Sequence, residues 1–380
     1  MPYLFHFLLF VLIYYIFKYD IKKSTKGYLR TFKCFYILLA VLVAFRYGVG
    51  VDTSNYMAAY NEVPPIDELE LEDFIRFRFQ PFYLIINSIC KSFTDNFVLL
   101  QIIQSYLFYH SLYILLRKLN LRKFYILFIF YTYMYFSSGM AAMRESFALA
   151  FCMYGLNYYL CSKWIKYYIL IFIGFLFHTG AIVFFIVPFF KIFTKKTLKS
   201  YIFFISCCCI AFSFLSILQN ILGNIISDGS ISRYSLSGNG SINIVNTFRN
   251  IVILWIIYRF CIKSTKAVNV YSMDIILLGT TYVIMDLFSG SFLPILFRFS
   301  SHFFIFFCCC TKIIIDSING KKIFSYIIIF FLFYQPIARC QGLFNKESRK
   351  FFYYSSIFSF DKSHNKKIID SAEAGDYILY

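Results

Sequence analysis

Charged residues are scarce in this 380-residue chain, at 15% of the sequence, whereas a soluble domain carries about 25%. Hydrophobic residues make up 60% of the chain, and the mean hydropathy is +0.67. Apolar runs long enough to cross a bilayer recur from end to end, while the short alternating segments of a membrane β-barrel are missing. The composition therefore excludes a soluble enzyme and predicts an all-α polytopic membrane protein.

Motifs that bind metals or nucleotides are also lacking. The 12 cysteines form no CxxC pair, and most lie in apolar runs such as "SCCCI" (206–210), where they act as small apolar residues. The sequence has no glycine-rich nucleotide loop, no zinc-ligand spacing, no nucleophile elbow and no DxD-like pair. We therefore expect no cofactor, no bound metal and no nucleotide donor.

Acidic residues are few: 19 Asp and Glu against 37 Lys and Arg leave a net charge of +18. Most of the cations lie in short clusters between apolar runs, as in the cytoplasmic loops of membrane proteins, so we expect no nucleic-acid partner. The pattern predicts about 11 to 13 transmembrane or re-entrant helices. The predicted spans are 2–18, 33–48, 80–94, 97–116, 122–138, 142–161, 165–177, 180–193, 200–221, 244–262, 271–288, 292–315 and 322–338. We expect one membrane domain over 1–338, with outer loops 51–79 and 222–243, and a polar and aromatic tail over 339–380.

Basic loops of a membrane protein tend to lie in the cytoplasm, which we call the charge rule. Two places in the predicted topology conflict with this rule. The basic residues near 167 and 191 both favour the cytoplasm, yet one apolar run joins them, interrupted by "FHTGA" (177–181). We predict two short helices that meet near His178, enter from the cytoplasm and return to it. The second conflict concerns the predicted spans 80–94 and 97–116: either one of them is re-entrant or the charge rule fails there.

Basic residues outside the cytoplasmic clusters are informative, because an arginine at the centre of a membrane costs about 2.5–3.5 kcal/mol on insertion scales. In the predicted topology these residues are Arg46, Arg76, Arg78, Arg144, Arg233, Arg249 and Arg298.

The stretch "AFRYGVGVDTSNYMAAY" (44–60) places Arg46 at the outer end of a span, followed by glycines that end the helix. One interpretation is structural: Asp52 caps a short helix that runs to Tyr60, and Arg46 reaches to the interface. The other is functional: a cation and a carboxylate flank a flexible corner at the outer face. The sequence leaves both open.

The stretch "YFSSGMAAMRESFALA" (135–150) predicts a helix that starts at Ser137–Gly139, with Arg144 in its second turn. Free N–H groups at a helix start, together with an arginine, form an anion site suited to phosphate. Glu145 favours the positive end of the helix dipole and is expected to pair with an arginine. The structural alternative is that Arg144 only bridges helices.

Three other residues are candidate functional residues. His178 either takes part in catalysis or caps the second short helix together with Thr179. Arg298 follows a predicted outer turn. Arg233 is either a solvated loop residue or a clamp on an anionic ligand.

Four segments carry a family resemblance: "FRYGVGVDTSNY" (45–56), "FQPFYLIINSI" (79–89), "GMAAMRESFALAF" (139–151) and "KYYILIFIGFLFHTGAIVFFIVPFF" (166–190). In order and spacing they resemble the Wzy-type polysaccharide polymerases of O-antigen, exopolysaccharide and capsule pathways, in particular the EpsG branch. The second half of the chain resembles that family only in its layout of a loop followed by spans. One departure is Gln80, where the family often has Glu before the proline.

The resemblance implies a GT-C-like architecture in the bacterial cytoplasmic membrane. It implies inverting, metal-independent glycosyl transfer at the outer face, between oligosaccharide repeat units linked to undecaprenyl diphosphate. The bilayer is one expected partner, and a chain-length regulator and a flippase of the same pathway are others. We expect catalytic roles for Asp52, His178, Arg144 and Glu145, and substrate or diphosphate contacts from Arg46, Tyr56, Arg76, Arg78, Arg233 and Arg298.

Two alternatives remain at this point. One is a related lipid-linked glycan ligase. The other is a lipid-linked oligosaccharide flippase or another transporter, a class that tends to show internal repeats and ionisable sites in broken helices. Repeats are absent here, and His178 in its interrupted run is the feature that favours transport.

Overall fold

The computed structural model describes residues 4–50, 52–77, 79–193, 197–225, 244–263, 272–289, 295–318, 328, 330, 332–334 and 356–358. Across this part of the chain the regular elements are all helical, and one isolated antiparallel bridge is present. Five of the described helices are long and apolar enough to cross a membrane, and three shorter apolar helices accompany them. The prediction of an all-α polytopic membrane protein is confirmed.

Two short helices lie in the predicted outer loop 51–79, and the other described helices begin and end within a few residues of the predicted spans. The described helices are α1 (Leu4–Tyr15), α2 (Tyr28–Ala44), α3 (Thr53–Glu62), α4 (Leu71–Arg76), α5 (Pro81–Phe93), α6 (Val98–Lys118), α7 (Phe124–Phe130), α8 (Met143–Tyr159), α9 (Trp164–Phe177), α10 (Leu198–Ile225), α11 (Ile244–Ile257), α12 (Met273–Ser289) and α13 (Ile295–Ser317). Wider π-helical turns extend α1, α7 and α11 through Ile21, Ala141 and Ile262, and a 3-10 helix covers Thr179–Ile192. A further predicted span, 322–338, lies mostly outside the described residues.

Contacts divide the chain into two compact units. The first contains residues 1–182 and 336–380, and the second contains residues 183–335. The single membrane domain expected over 1–338 stays a prediction.

In the first unit α8 packs closely against α6 and α9. A Cβ atom at Gly174 of α9 would lie 3.0 Å from the carbonyl oxygen of Ala148 and 3.1 Å from Sγ of Cys152, so this close crossing favours glycine. Ser146 and Ala150, two small residues four positions apart on α8, are fully buried. The tight packing fixes the start of α8, where the candidate site lies.

The length of α5 bears on the conflict between 80–94 and 97–116. Its 13 residues span about 20 Å, less than the roughly 30 Å of a hydrocarbon core. The 21 residues of α6 do reach membrane-spanning length. A topology in which α6 crosses and α5 does not would satisfy the charge rule, and it stays a prediction.

A short piece of the C-terminal tail lies against the corner that follows α2. The N–H of Ile357 donates to the carbonyl oxygen of Phe45 at 3.1 Å, Ser356 bridges to Arg46, and the Phe45 and Phe358 ring centroids are 5.4 Å apart. Residues 356–358 therefore lie on the same side of the membrane as this corner.

The second unit contains a buried charge network between α11 and α12. Arg249 forms an ion pair with Asp286, and the two side chains are 5% and 10% exposed. Asn250 accepts hydrogen bonds from the Arg249 guanidinium and donates to the same carboxylate at 3.1 Å. A buried arginine with a carboxylate and an amide around it is a connection between helices.

Candidate functional site

Arg46 lies just beyond the end of α2 and is 0% exposed. Its Nη1 donates to the carbonyl oxygen of Val43 at 2.6 Å and to Oε1 of Gln104 at 3.3 Å. Gln104 in turn donates to the carbonyl oxygen of Gly139 at 3.0 Å. The structural interpretation of Arg46 as a residue that reaches to the interface is wrong, because its charge is held inside the protein between α2, α6 and the segment before α8.

The role of Gln104 was missed from the sequence. It lies in the apolar run of α6 and is fully buried. The signal that identifies it is the polar set Gln101, Gln104 and Ser105, which follows helical spacing inside a span. Polar side chains in that environment face other protein groups.

The turn after Arg46 requires glycine at position 50. The φ angle there is +109°, a conformation that L side chains rarely adopt, and a Cβ atom would lie 3.0 Å from Cα of Ala141. The Thr53 hydroxyl donates to the carbonyl oxygen of Val49 at 2.8 Å and closes the turn. The close approach brings the corner and the start of α3 beside the start of α8.

The predicted helix start at Ser137–Gly139 is wrong. Those residues belong to the π-helical turn that runs to Ala141, whose wide hydrogen bonds include Ala142 N–H to the Ser137 carbonyl oxygen at 2.9 Å. The backbone breaks at Ala142, and α8 begins at Met143. Arg144 therefore lies in the first turn of α8 rather than the second. Ala142, the residue at the capping position, makes no side-chain capping bond. The first N–H groups of a helix have no partner within the helix itself.

The guanidinium of Arg144 is held from several sides. Nε donates to the Tyr56 hydroxyl at 3.5 Å, and Nη1 donates to Oε1 of Gln80 at 3.2 Å. The guanidinium carbon lies 5.2 Å from the Phe79 ring centroid and 5.8 Å from that of Tyr56, within the range of cation–π attraction. Among the described residues, Nη2 has no hydrogen-bond partner. The structure thus orients the arginine and leaves donor capacity for a ligand.

Tyr56 supplies a neutral hydroxyl at this place. Burial raises the pKa of the Tyr56 phenol above its usual value, although the positive charge of Arg144 acts in the opposite direction. The phenol therefore stays protonated at neutral pH and accepts a hydrogen bond without adding negative charge.

Asp52 occupies the capping position of α3, as the structural interpretation predicted, but its carboxylate makes no capping hydrogen bond. Its negative charge acts instead on Tyr56 and on Arg144. The structure thus brings Asp52, Tyr56, Gln80 and Arg144 into one group, which we call the Arg144 cluster.

Glu145 and His178 have identified contacts of their own. The Ser138 hydroxyl donates to Oε1 of Glu145 at 3.1 Å. His178 is the extended residue between α9 and the 3-10 helix, so the predicted break at His178 is confirmed. Its Nδ1 accepts the N–H of Gly180 at 3.1 Å, which is the capping contact that the structural interpretation expected. Whether the two short helices enter from the cytoplasm and return stays a prediction.

The remaining predicted residues are not seen in the Arg144 cluster. Arg76 lies on the surface, paired with Glu62 at 3.1 Å and with its side chain 61% exposed. Arg78 and Arg233 lie outside the described residues, and so does the side chain of Arg298, whose backbone belongs to α13.

Over the described ranges, no three His, Cys, Asp or Glu side chains come close enough together to hold a metal ion. The expectation of a metal-independent reaction stays a prediction.

Comparison with known proteins adds one finding. The family model described as the EpsG family matches residues 29–356, which include the whole Arg144 cluster. Searches of curated proteins and of solved structures return no match. Because the matched region covers well over half of the sequence, the chain belongs to the EpsG family.

Proposed function

We propose that this protein is a polysaccharide polymerase that joins lipid-linked oligosaccharide repeat units at the outer face of the bacterial cytoplasmic membrane. Membership of the EpsG family indicates polysaccharide biosynthesis as the general activity, and the apolar helices indicate a multi-pass membrane protein. In the proposed reaction, the growing glycan leaves undecaprenyl diphosphate and is joined to the non-reducing end of a new repeat unit.

The orientation of the Arg144 guanidinium is the observation that supports this proposal. Contacts to Tyr56 and Gln80 fix two of its nitrogens, and the start of α8 adds positive dipole. Leaving diphosphate develops negative charge in the transition state, and a cation already held in place stabilises that charge without reorganisation. Buried Arg46 adds a second positive charge near the start of α8.

Asp52 is the proposed general base. The acceptor hydroxyl gives its proton to the Asp52 carboxylate, its oxygen forms a bond to the anomeric carbon, and the bond to the diphosphate oxygen breaks with both electrons leaving on the diphosphate. Attack opposite the leaving group inverts the anomeric configuration. His178 is less suited to this role, because its Nδ1 lone pair already accepts the Gly180 N–H and the proton of a neutral ring then lies on Nε2.

The direct test uses purified protein in vesicles with a synthetic repeat unit linked to undecaprenyl diphosphate. We expect a ladder of products from the wild-type chain and from an Asp95→Ala control, whose side chain is 91% exposed in an ion pair with Lys91. We expect little ladder from Arg144→Ala. Absence of any elongated product from the wild-type chain, with substrate on both membrane faces, would contradict the polymerase proposal.

A lipid-linked oligosaccharide transporter is the second candidate function. The observation in its favour is the interruption at His178, because broken helices surround the substrate sites of many transporters. The same vesicles distinguish the two. Movement of labelled substrate across the bilayer without elongation indicates transport, whereas elongation without net movement indicates polymerisation.

A further inference from the structure

A second cationic site lies at the other end of α8. A cavity of about 340 Å³ opens where the ends of α6 and α8 meet, and Arg117, Lys118 and Lys163 line it. No acidic residue is among its described lining residues. From Arg144 to Asn157 at this cavity, α8 rises about 20 Å, so the cavity is separate from the Arg144 cluster.

The three cations differ in how they are held. Nζ of Lys118 donates to the carbonyl oxygen of Asn157 at 2.5 Å and to Sγ of Cys161 at 2.9 Å, which fixes its charge among the residues that line the cavity. Among the described residues, the side chains of Arg117 and Lys163 make no hydrogen bond or ion pair. Two cations are therefore available to a ligand, and one of them has a guanidinium that can contact two oxygens at once.

The same cations act on the thiol of Cys161 in the cavity lining. The hydrogen bond from Lys118 and the charges of Lys118 and Lys163 lower the pKa of the exposed Cys161 thiol. A field that favours a thiolate also favours any other anion in the same place.

The surroundings of the cavity suit a phosphate group near a membrane surface. Ile114 and Tyr158 line it together with the cations, so an apolar surface adjoins the charged one. Arg117, Lys118 and Lys163 belong to basic connectors that the charge rule assigns to the cytoplasm. Basic pockets between helices on that side of a membrane bind anionic headgroups.

We propose that this cavity binds a phosphate-bearing anion, with Arg117 and Lys163 contacting its oxygens beside the fixed charge of Lys118. The ligand links the end of α6 to the connector between α8 and α9. An anionic phospholipid and free phosphate share this chemistry, and the experiment separates them.

Cys161 itself serves as the reporter. The purified protein is placed in vesicles of phosphatidylcholine, of phosphatidylcholine with phosphatidylglycerol, or of phosphatidylcholine with added inorganic phosphate. The alkylation rate of Cys161 is measured by peptide mass spectrometry. The exposed Cys34 serves as internal reference, and the buried Cys152 serves as a check of folding. The ratio to Cys34 removes the general effect of an anionic surface on thiolates.

We expect phosphatidylglycerol or phosphate to slow alkylation of Cys161 but not of Cys34. Protection by phosphatidylglycerol alone assigns the site to a lipid headgroup, and protection by phosphate as well assigns it to phosphate in general. In Arg117→Gln/Lys163→Gln, half-protection should require roughly 30-fold more ligand, since each cation contributes about 1 kcal/mol near a membrane surface. The matched control Lys22→Gln/Lys123→Gln removes the same charge elsewhere and should behave as wild type.

Two results would overturn the proposal. One is an unchanged rate at Cys161 with both ligands in the wild-type protein, a measurement that depends on no variant. The other is protection of Arg117→Gln/Lys163→Gln equal to that of the wild-type chain, which would show that the cavity cations do not hold the ligand.

Discussion

At the scale of single residues, three arginines that all lie outside the cytoplasmic basic clusters of the sequence have three different environments. Arg46 is fully buried, Arg144 is half-buried between two aromatic rings, and Arg76 is on the surface beside Glu62. A surface ion pair contributes little free energy, whereas a buried guanidinium keeps its charge only with partners around it. The functional interpretation therefore rests on Arg144 and Arg46.

Arg144→Lys is expected to lose most polymerase activity although it keeps the charge. An ammonium group cannot contact Tyr56, Gln80 and a ligand with the planar geometry of a guanidinium. Loss of one charge-assisted hydrogen bond, at about 1.5–3 kcal/mol, corresponds to roughly a tenfold to hundredfold fall in rate. Arg144→Ala should do at least as much harm at normal expression. Full activity of Arg144→Lys would show that a positive charge alone is sufficient for the reaction and that the planar guanidinium is not needed.

Asp52→Asn is expected to abolish the polymer ladder, because the amide cannot accept the proton of the acceptor hydroxyl. Glu145→Gln should reduce activity only in part, since an amide oxygen can still accept the hydroxyl of Ser138. The measurement is ladder length and amount for each stable variant, with accumulation of the lipid-linked repeat unit as the control. A normal ladder from Asp52→Asn would exclude it as the base.

His178→Ala should also reduce polymerisation, because the 3-10 helix loses the contact from Gly180 to Nδ1. His178→Asn is the matched variant: its amide oxygen can accept the same N–H but cannot titrate near neutral pH. We expect His178→Asn to recover activity. If it is as inactive as His178→Ala, and Asp52→Asn is active, the imidazole is the better candidate for the base.

At the scale of helices, the position of helix ends decides which side chains meet. Gln80 is the residue before Pro81 at the start of α5, and Arg144 is in the first turn of α8. The sequence singles out Gln80 only because it departs from the family pattern. The structure shows that its side-chain oxygen is the acceptor for Arg144.

Gln80→Glu and Gln80→Leu form a matched pair that tests this contact. Glutamate keeps an acceptor for Arg144, so activity should stay within about threefold of wild type. Leucine has a similar size but leaves the guanidinium nitrogen without that acceptor, at a cost of about 1.5–3 kcal/mol and roughly a tenfold or larger fall in activity. Equal activity of the two variants would show that Gln80 does not orient Arg144.

The buried ion pair between Arg249 of α11 and Asp286 of α12 leads to a separate prediction about the stability of the fold. Arg249→Met or Asp286→Leu alone leaves a buried charge without its partner and should destabilise the fold by about 3–5 kcal/mol. The double variant removes both charges and should recover most of that loss. Unfolding in mild detergent, followed by intrinsic fluorescence, measures the difference. Additive losses in the double variant would show that the two residues do not stabilise each other.

At the scale of the whole chain, the contact between residues 356–358 and the corner after α2 links the tail to the predicted outer face. Charge patterning alone leaves the side of the tail undecided, because it depends on the number of crossings. The backbone hydrogen bond from Ile357 to Phe45 assigns the tail to the side of this corner without any count of membrane crossings.

Single cysteines in a cysteine-free background test this topology. Phe358→Cys, Asp67→Cys and Gly238→Cys should react with an impermeant thiol reagent from outside the cell. Leu121→Cys and Lys196→Cys should not. Labelling of position 196 from outside would contradict the predicted helix pair around His178, and protection of position 358 alongside labelling of position 67 would contradict the placement of the tail.

The sequence by itself determined the class of protein, the approximate helix boundaries and the interruption at His178, because apolar length and helix-breaking residues are local properties. It also marked Arg144 as a functional candidate, because a charge inside an apolar run is costly wherever the run packs. Only the tertiary structure decided that Tyr56 and Gln80 hold the Arg144 guanidinium and that Gln104 receives Arg46. Those contacts join residues far apart in the chain, and their geometry depends on where α3, α5, α6 and α8 begin and how they pack, which no local pattern specifies.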